Sequence, residues 1–411
     1  MRASSAGLLG AVLLATQLAA QEWAQWRGPS RDGIVAAVNA PAVWPASFQR
    51  AWSVEIGEGY SSPVVSAARV YVQSRRDPDE IVTAVDLATG KILWQQKYAA
   101  TFNKNQYAVR MAKGPNSTPA VAGNSLFTLG VTGVLSAWNT QSGALLWRKD
   151  YSATVDTSKL FCGTAASPLV ESGLLIIQVG SDVHAGRVIA LDPATGTERW
   201  TWRGAGPGYA SPIVITVGGV RQIVVMTEGS IEGIDTKTGF ALWSAPFPEK
   251  WHENTATPIW TGAHLVVANA ELGAHAFALR QAGGKWEAVE AWKNTDVPFY
   301  ISTPVLADGV IYAHSNKQKG RFVALDAATG AIHWATEGRE GEHASILLTP
   351  SHVIYLTNAA KLVLARRSPS AFTADQRYDV ADSETWAMPV LLPDGLIVRD
   401  STSLFRLAFA P

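Results

Sequence analysis

The chain has 411 residues, 47% of them hydrophobic and 17% charged, with 34 basic side chains balanced by 34 acidic ones. That composition suits a large buried core, and a zero formal charge without basic tracts or acidic tails argues against nucleic acid or another polyelectrolyte as partner. The single cysteine, Cys162, excludes an intrachain disulfide and a cysteine-cluster metal site, and the eight histidines show no ligand spacing.

Taken in chain order, the first element is an export signal. Arg2 precedes an uncharged apolar run over residues 6–15, and Ala19 and Ala20 stand before Gln21 as a cleavage site. The run is shorter than the roughly 20 apolar residues that span a bilayer, so no transmembrane segment is expected. No cysteine follows it to carry a lipid. Residues 1–20 are thus expected to be a signal peptide and residues 21–411 a single domain, periplasmic or secreted. Next comes a lone strand, Phe48 to Ile56, carrying Trp52.

From Ser61 onward one unit repeats. Each repeat opens with a small residue, Ser or Thr, and Pro, followed by apolar runs. The openings are Ser61–Ser62–Pro63, Ser117–Thr118–Pro119, Ala166–Ser167–Pro168, Ala210–Ser211–Pro212, Ala256–Thr257–Pro258 and Ser302–Thr303–Pro304. Degenerate copies stand at Ala344–Ser345–Ile346 and Ala387–Met388–Pro389, giving eight at spacings of 42 to 56 residues. Pro is tolerated where a strand begins, because its missing N–H is not needed there.

Later in each repeat stands A-x-D-x-x-T-G-x-x-x-W, at Ala84–Trp94, Ala190–Trp200 and Ala324–Trp334, with variants at Ala137–Trp147 and Gly233–Trp243. This is a β-hairpin: the Asp carboxylate accepts N–H groups of the turn, Gly supplies a positive φ, and the second strand carries a Trp. A Trp buries roughly 200 Å², more than one thin sheet hides, so each is expected to pack on the neighbouring unit. The second-strand aromatics Trp52, Trp94, Trp147, Trp200, Trp243, Trp292, Trp334 and Tyr378 again number eight.

Four short strands per repeat predict an all-β, eight-bladed propeller of four-stranded antiparallel blades. The ends complement each other: Phe48 to Ile56 is a fourth strand without a blade, and Met388–Leu392, Leu396–Arg399 and Leu404–Ala408 are three strands without a fourth. Joining them closes the ring and removes exposed edges.

Equivalent positions in a ring converge on its axis. Three residues before each strand-opening Pro lie Tyr60, Asn116, Ala165, Tyr209, Thr255, Ile301, His343 and Trp386, which are expected to ring the mouth of the central funnel. The loops feeding that mouth are longest between Trp94 and Pro119 (25 residues) and between Trp147 and Pro168 (21). The first carries Phe102, Lys104, Tyr107, Arg110 and Lys113, whose cations favour an anionic partner. His252, Glu253 and Asn254 lie on another mouth loop, without the second His of a zinc protease. Asp182–Val183–His184 has no serine elbow to serve. Asn116–Ser117–Thr118 is a formal glycosylation acceptor, set on the funnel wall where a glycan does not fit.

The A-x-D-x-x-T-G-x-x-x-W string resembles the tryptophan-docking motif of pyrroloquinoline-quinone (PQQ)-type propellers, shared by quinoprotein alcohol dehydrogenases and by the assembly lipoprotein of the β-barrel assembly machinery, which has no quinone. The opening Trp23–Ala24–Gln25–Trp26–Arg27–Gly28–Pro29 with Arg31–Asp32–Gly33 resembles the start of many exported propellers of this kind. The resemblance covers about residues 22 to 411. It departs from the dehydrogenases in lacking a vicinal cysteine pair and a C-x-x-C-H haem site, and from the lipoprotein in lacking the anchoring cysteine.

Three functions follow. The first is a non-catalytic binding or scaffold propeller without cofactor, taking a protein partner or a small polar or aromatic ligand at Tyr60, Arg110, Lys113, Asn116, Tyr209, His252, Glu253, Asn254, His343 and Trp386. The second is a PQQ- and Ca²⁺-dependent alcohol or sugar dehydrogenase, for which Glu253 with Asn254, or Glu342 beside His343, would supply oxygen ligands and base. The third is carbohydrate recognition through Trp386, Tyr60 and Tyr209.

Overall fold

In a computed structural model of the chain, which describes residues 22–36, 40–41, 43–108, 111–154, 160–181 and 186–410, the hairpins close by the chemistry of their turn residues. The Asp86 carboxylate accepts the Thr89 N–H at 2.8 Å and its hydroxyl at 2.7 Å. Asn139, Asp235 and Asp326 hold Ser142, Thr238 and Thr329 in the same way. The signal peptide, Arg110 and Asp182–Val183–His184 lie outside the described residues.

The hairpins belong to eight four-stranded antiparallel sheets. Blades 1 to 7 follow in order as residues 64–99, 120–150, 169–204, 213–246, 259–294, 305–335 and 344–379. Blade 8 joins three C-terminal strands, the last Ser403–Phe409, to the N-terminal strand Phe48–Glu55, with Phe48 opposite Phe409 and Glu55 opposite Ser403. The ring therefore closes as the unmatched ends require. Most hydrophobic clusters bridge two neighbouring blades; the largest links blades 7, 8 and 1 with Trp23 and Val35.

The tryptophans explain why the blades need one another. Trp94 lies over Gly143 of the next blade, and its indole N–H donates to Thr140 O at 3.0 Å. Trp52 meets Gly90 and Leu87 O, Trp147 meets Gly196 and Pro193 O, Trp200 meets Gly239 and Thr236 O, and Trp292 meets Gly330 and Ala327 O. The turn glycine thus meets two demands. Its φ is positive (71° at Gly143), and a Cβ there would stand 2.6 Å from the Trp94 ring. Trp243 breaks the pattern for a visible reason. Blade 5 turns through Gly283–Gly284 and offers no Thr-Gly platform. Trp243 folds back over its own blade, donating to Gln222 Oε1 at 2.7 Å, and a Cβ on Gly233 would lie 2.1 Å from its ring. Hence Gly stands where other repeats have Ala.

The Ser/Thr before each Pro also has a ring-wide use. The N–H groups of Ser62, Thr118, Ser167, Ser211 and Thr257 donate in turn to the hydroxyls of Thr118, Ser167, Ser211, Thr257 and Thr303, at 2.9 to 3.2 Å. Met388 N–H donates to Ser62 Oγ at 2.9 Å. This hydroxyl belt satisfies buried backbone donors where blades meet near the axis.

The opening motif is a strap across the channel. Trp23 exchanges backbone bonds with Val65 of blade 1, Ala24 accepts from Val121 of blade 2, and Gly33 and Val35 bond Leu348 of blade 7. Between these anchors Arg27 donates to the Thr303 and Pro304 carbonyls and Arg31 to those of Ser167 and Pro168. Both guanidinium groups are buried, and burial lowers them to about 10 and about 9. They stay charged at neutral pH, held by carbonyl dipoles.

Candidate functional site

The eight positions three residues before the strand openings meet around a cavity of about 170 Å³: Tyr60, Asn116, Ala165, Tyr209, Thr255, Ile301, His343 and Trp386 all line it. The propeller's regularity causes this, since each inner strand starts at the same height and radius. Deeper on the wall are the belt residues Ser62, Ser167, Ser211, Thr257 and Thr303. Trp26 of the strap closes the channel below them, its indole N–H 3.4 Å from Thr257 Oγ1.

The two long loops lean over this opening. Met111, Phe161 and Cys162 join the wall, and ring side chains hold the loops by their backbones. Tyr60 Oη accepts the Ala112 N–H at 2.9 Å, Tyr209 Oη accepts the Cys162 N–H at 3.4 Å, and Asn116 Nδ2 donates to Cys162 O at 2.9 Å. Burial and, after it, the charge of Glu253 push the Cys162 thiol up to about 12, so it is no nucleophile at neutral pH.

Trp386 is packed on two sides of the ring. Tyr60 lies 5.4 Å from it at 44°, and His343 stacks almost flat at 5.5 Å and 10°. His343 Nδ1 meets Ser302 Oγ at 3.1 Å, and the same hydroxyl lies 3.3 Å from His314 Nδ1. Burial lowers His343 to about 3, with His314 nearby adding to the effect, and burial lowers His314 to about 4. Both are neutral at physiological pH. Glu253 accepts the Tyr300 hydroxyl, and burial pushes its carboxyl up against that hydrogen bond.

Three nominated residues lie off the cavity. Asn254 is fully buried, its amide spent on Thr227 O, Phe247 O and Asn269 Nδ2. His252 is largely exposed beside Glu228, at 3.2 Å. Lys113 turns away to pair with Asp77, and the Lys104 ammonium donates to Met111 O. Lys113 is thus spent on Asp77, whereas Lys104 sits against Met111 O and its charge reaches the Cys162 thiol on the wall, opposing the effect of burial there. Reading the sequence missed Tyr300, Phe161, Met111 and Trp26 as wall residues. Tyr300 was within reach, since it adjoins ring position Ile301; Phe161 and Trp26 arrive from segments with no repeat partner.

A tricarboxylate quinone with Ca²⁺ does not suit this wall. Among the described residues the wall includes no Lys or Arg, its single carboxylate is engaged by Tyr300, and Asn254 is spent in the core. Among the described residues no three His, Cys, Asp or Glu side chains gather as metal ligands. No step through that cofactor is derived.

The fold and site together define an eight-bladed, tryptophan-docked propeller with a blind aromatic cavity at its mouth. The chain belongs to the PQQ-like propeller family whose model is described as outer membrane protein assembly factor BamB, matched over residues 78–336 and 228–371. It is 24% identical over 375 residues to the protein of that name from Burkholderia pseudomallei, covering 85% of each chain. Its fold resembles that of BamB from Moraxella catarrhalis, at a TM-score of 0.62 and 14% identity over 89% of this chain and 98% of that one. It equally resembles the quinohemoprotein alcohol dehydrogenase of Comamonas testosteroni, at a TM-score of 0.68 and 14% identity over 94% and 80%. Among the described residues no helix is long and apolar enough to cross a membrane.

Proposed function

We propose that this chain, once its leader is removed near Gln21, is a non-catalytic binding scaffold of the cell envelope that docks a protein of outer-membrane assembly on its mouth face. The observation that carries this reading is the use of the wall's polar groups. The belt hydroxyls accept backbone N–H groups, Tyr60 and Tyr209 hold loops, and Glu253 holds Tyr300. These groups build a rigid rim rather than a nucleophile with its base. The relatives, outer membrane protein assembly factors, suggest the partner class, and the long loop at 101–115, with Tyr107 exposed on it, is the proposed contact.

Photo-crosslinking tests this reading in intact cells. A crosslinking side chain at Tyr107 is expected to capture a component of outer-membrane assembly, while one at Phe240, exposed on the blade 4 hairpin, captures none. Capture from Phe240 alone would move the interface to the outer edge, and capture from neither would end the scaffold reading. Adding PQQ with Ca²⁺ to the purified protein is expected to leave its absorbance spectrum the simple sum of the components.

A further inference from the structure

The mouth cavity carries an inference that goes beyond the scaffold reading and does not rest on it. We infer that it binds the methylated ammonium group of a small organic cation, caged by aromatic rings beside the Glu253 carboxylate. The rings come from separate parts of the chain: Trp26 from the strap, Phe161 from the second long loop, and Tyr60, Tyr209, Tyr300 and Trp386 from the inner rim. Aromatic faces attract a cation through their quadrupole, most strongly where water is excluded, and quaternary ammonium groups are the guests that such cages take.

The sign of the charge follows from the surroundings. Among the described residues Glu253 is the one carboxylate on the wall, and no Lys or Arg lines it. Glu384 accepts the Trp386 indole N–H at 2.9 Å, setting a second carboxylate at the rim. Among the described cations near the rim, Lys113 pairs with Asp77, the buried Arg399 donates to the carbonyls of Ser61, Gln73 and Gly57, and Lys104 donates to Met111 O, its charge reaching the Cys162 thiol. Among the described wall residues a bound anion would meet the Glu253 carboxylate and no cationic side chain.

Hydrogen-bonding capacity and size narrow the class further. A primary ammonium or a guanidinium needs three to five acceptors, about as many as its N–H groups. Here Tyr60 and Tyr209 already accept backbone N–H groups, the belt hydroxyls do the same, and Glu253 is shared with Tyr300, so that among the described residues Asn116 Oδ1 is the one buried wall oxygen left without a partner, fewer than such a group needs. A methylated ammonium has no N–H to satisfy and presents an apolar shell to an apolar wall. The cavity, at about 170 Å³, is close to the roughly 150 Å³ that holds a benzene-sized guest, which is the scale of a trimethylammonium head.

The test is titration calorimetry on the mature chain with choline, with its neutral carbon isostere 3,3-dimethylbutan-1-ol, and with n-butylammonium. Choline is expected to bind about tenfold or more tightly than either, the margin set by the cation–ring attraction. Glu253→Gln, which keeps a partner for Tyr300, is expected to weaken choline about tenfold and to leave the alcohol unchanged. Co-sedimentation with phosphatidylcholine vesicles distinguishes a lipid head group from a free solute such as glycine betaine. Equal binding of choline and the alcohol would reduce the site to an apolar pocket, and tighter butylammonium would point to a basic side chain of a protein partner. Either result, or no heat from choline, overturns the inference, and the wild-type comparison needs no variant to fold.

Discussion

A few side chains in each repeat account for most of what holds one blade to the next. Trp94 is nearly fully buried on Gly143 and bonded to Thr140 O, so Trp94→Ala is expected to cost about 3–5 kcal/mol, read as a fall in denaturant midpoint at constant slope. Gly143→Ala is expected to cost more than Gly123→Ala. Both have positive φ (71° and 55°), but only at Gly143 does a Cβ strike an indole ring, while nothing lies within 4 Å at Gly123. Similar midpoints for the two alanine variants would show that docking adds nothing to the backbone demand.

The two histidines behind Trp386 make a pH prediction. His343 and His314 are lowered from their ordinary 6.5 to about 3 and about 4 in the fold. Above pH 6.5 each is neutral, folded or unfolded; below it the unfolded chain takes up protons that the fold refuses. Their contribution to stability is therefore complete above about pH 6.5 and is lost as pH falls toward 3. Thermal melts from pH 7 to pH 4 are expected to drop steeply for the wild type and less steeply for His343→Gln. Parallel slopes would place the acid sensitivity elsewhere.

At the scale of elements, the belt and the strap do what strand pairing alone does not. Thr118 Oγ1 accepts the buried Ser62 N–H at 3.1 Å. Thr118→Val keeps the shape and orphans that donor, an expected loss of about 1–3 kcal/mol in denaturant melts. An unchanged midpoint would mean that the belt follows from blade packing instead of contributing to it. The strap matters for the cavity as well as for stability, because Trp26 forms the bottom of the same space whose rim is Trp386 and Tyr60.

For the whole molecule, the decisive link is the one between chain ends. Phe48–Glu55 is the fourth strand of the last blade, and Trp52 docks on the first. Deleting residues 21–56 is expected to lower the melting temperature sharply and to expose Ser403–Phe409 as an aggregation-prone edge. A truncated chain that melts like the mature protein would refute closure as a source of stability.

The blade count, the ring closure and the ring of mouth positions were all legible from local signals, because each repeat must rebuild the same turn, tryptophan platform and strand opening. Once a period is known, equivalent residues share a height and a radius, so Tyr60, Tyr209, His343 and Trp386 could be brought together on paper. Chemistry at the mouth was not legible in that way. Lys104 and Lys113 read as a cationic loop until folding gave them Met111 O and Asp77. Glu253 gained Tyr300, 47 residues away, and Trp26 reached Thr257, 231 residues away. Periodicity encodes where the backbone goes; the partners of a charge, and so the sign of the field in a cavity, depend on which distant groups converge, and only the tertiary structure decides that.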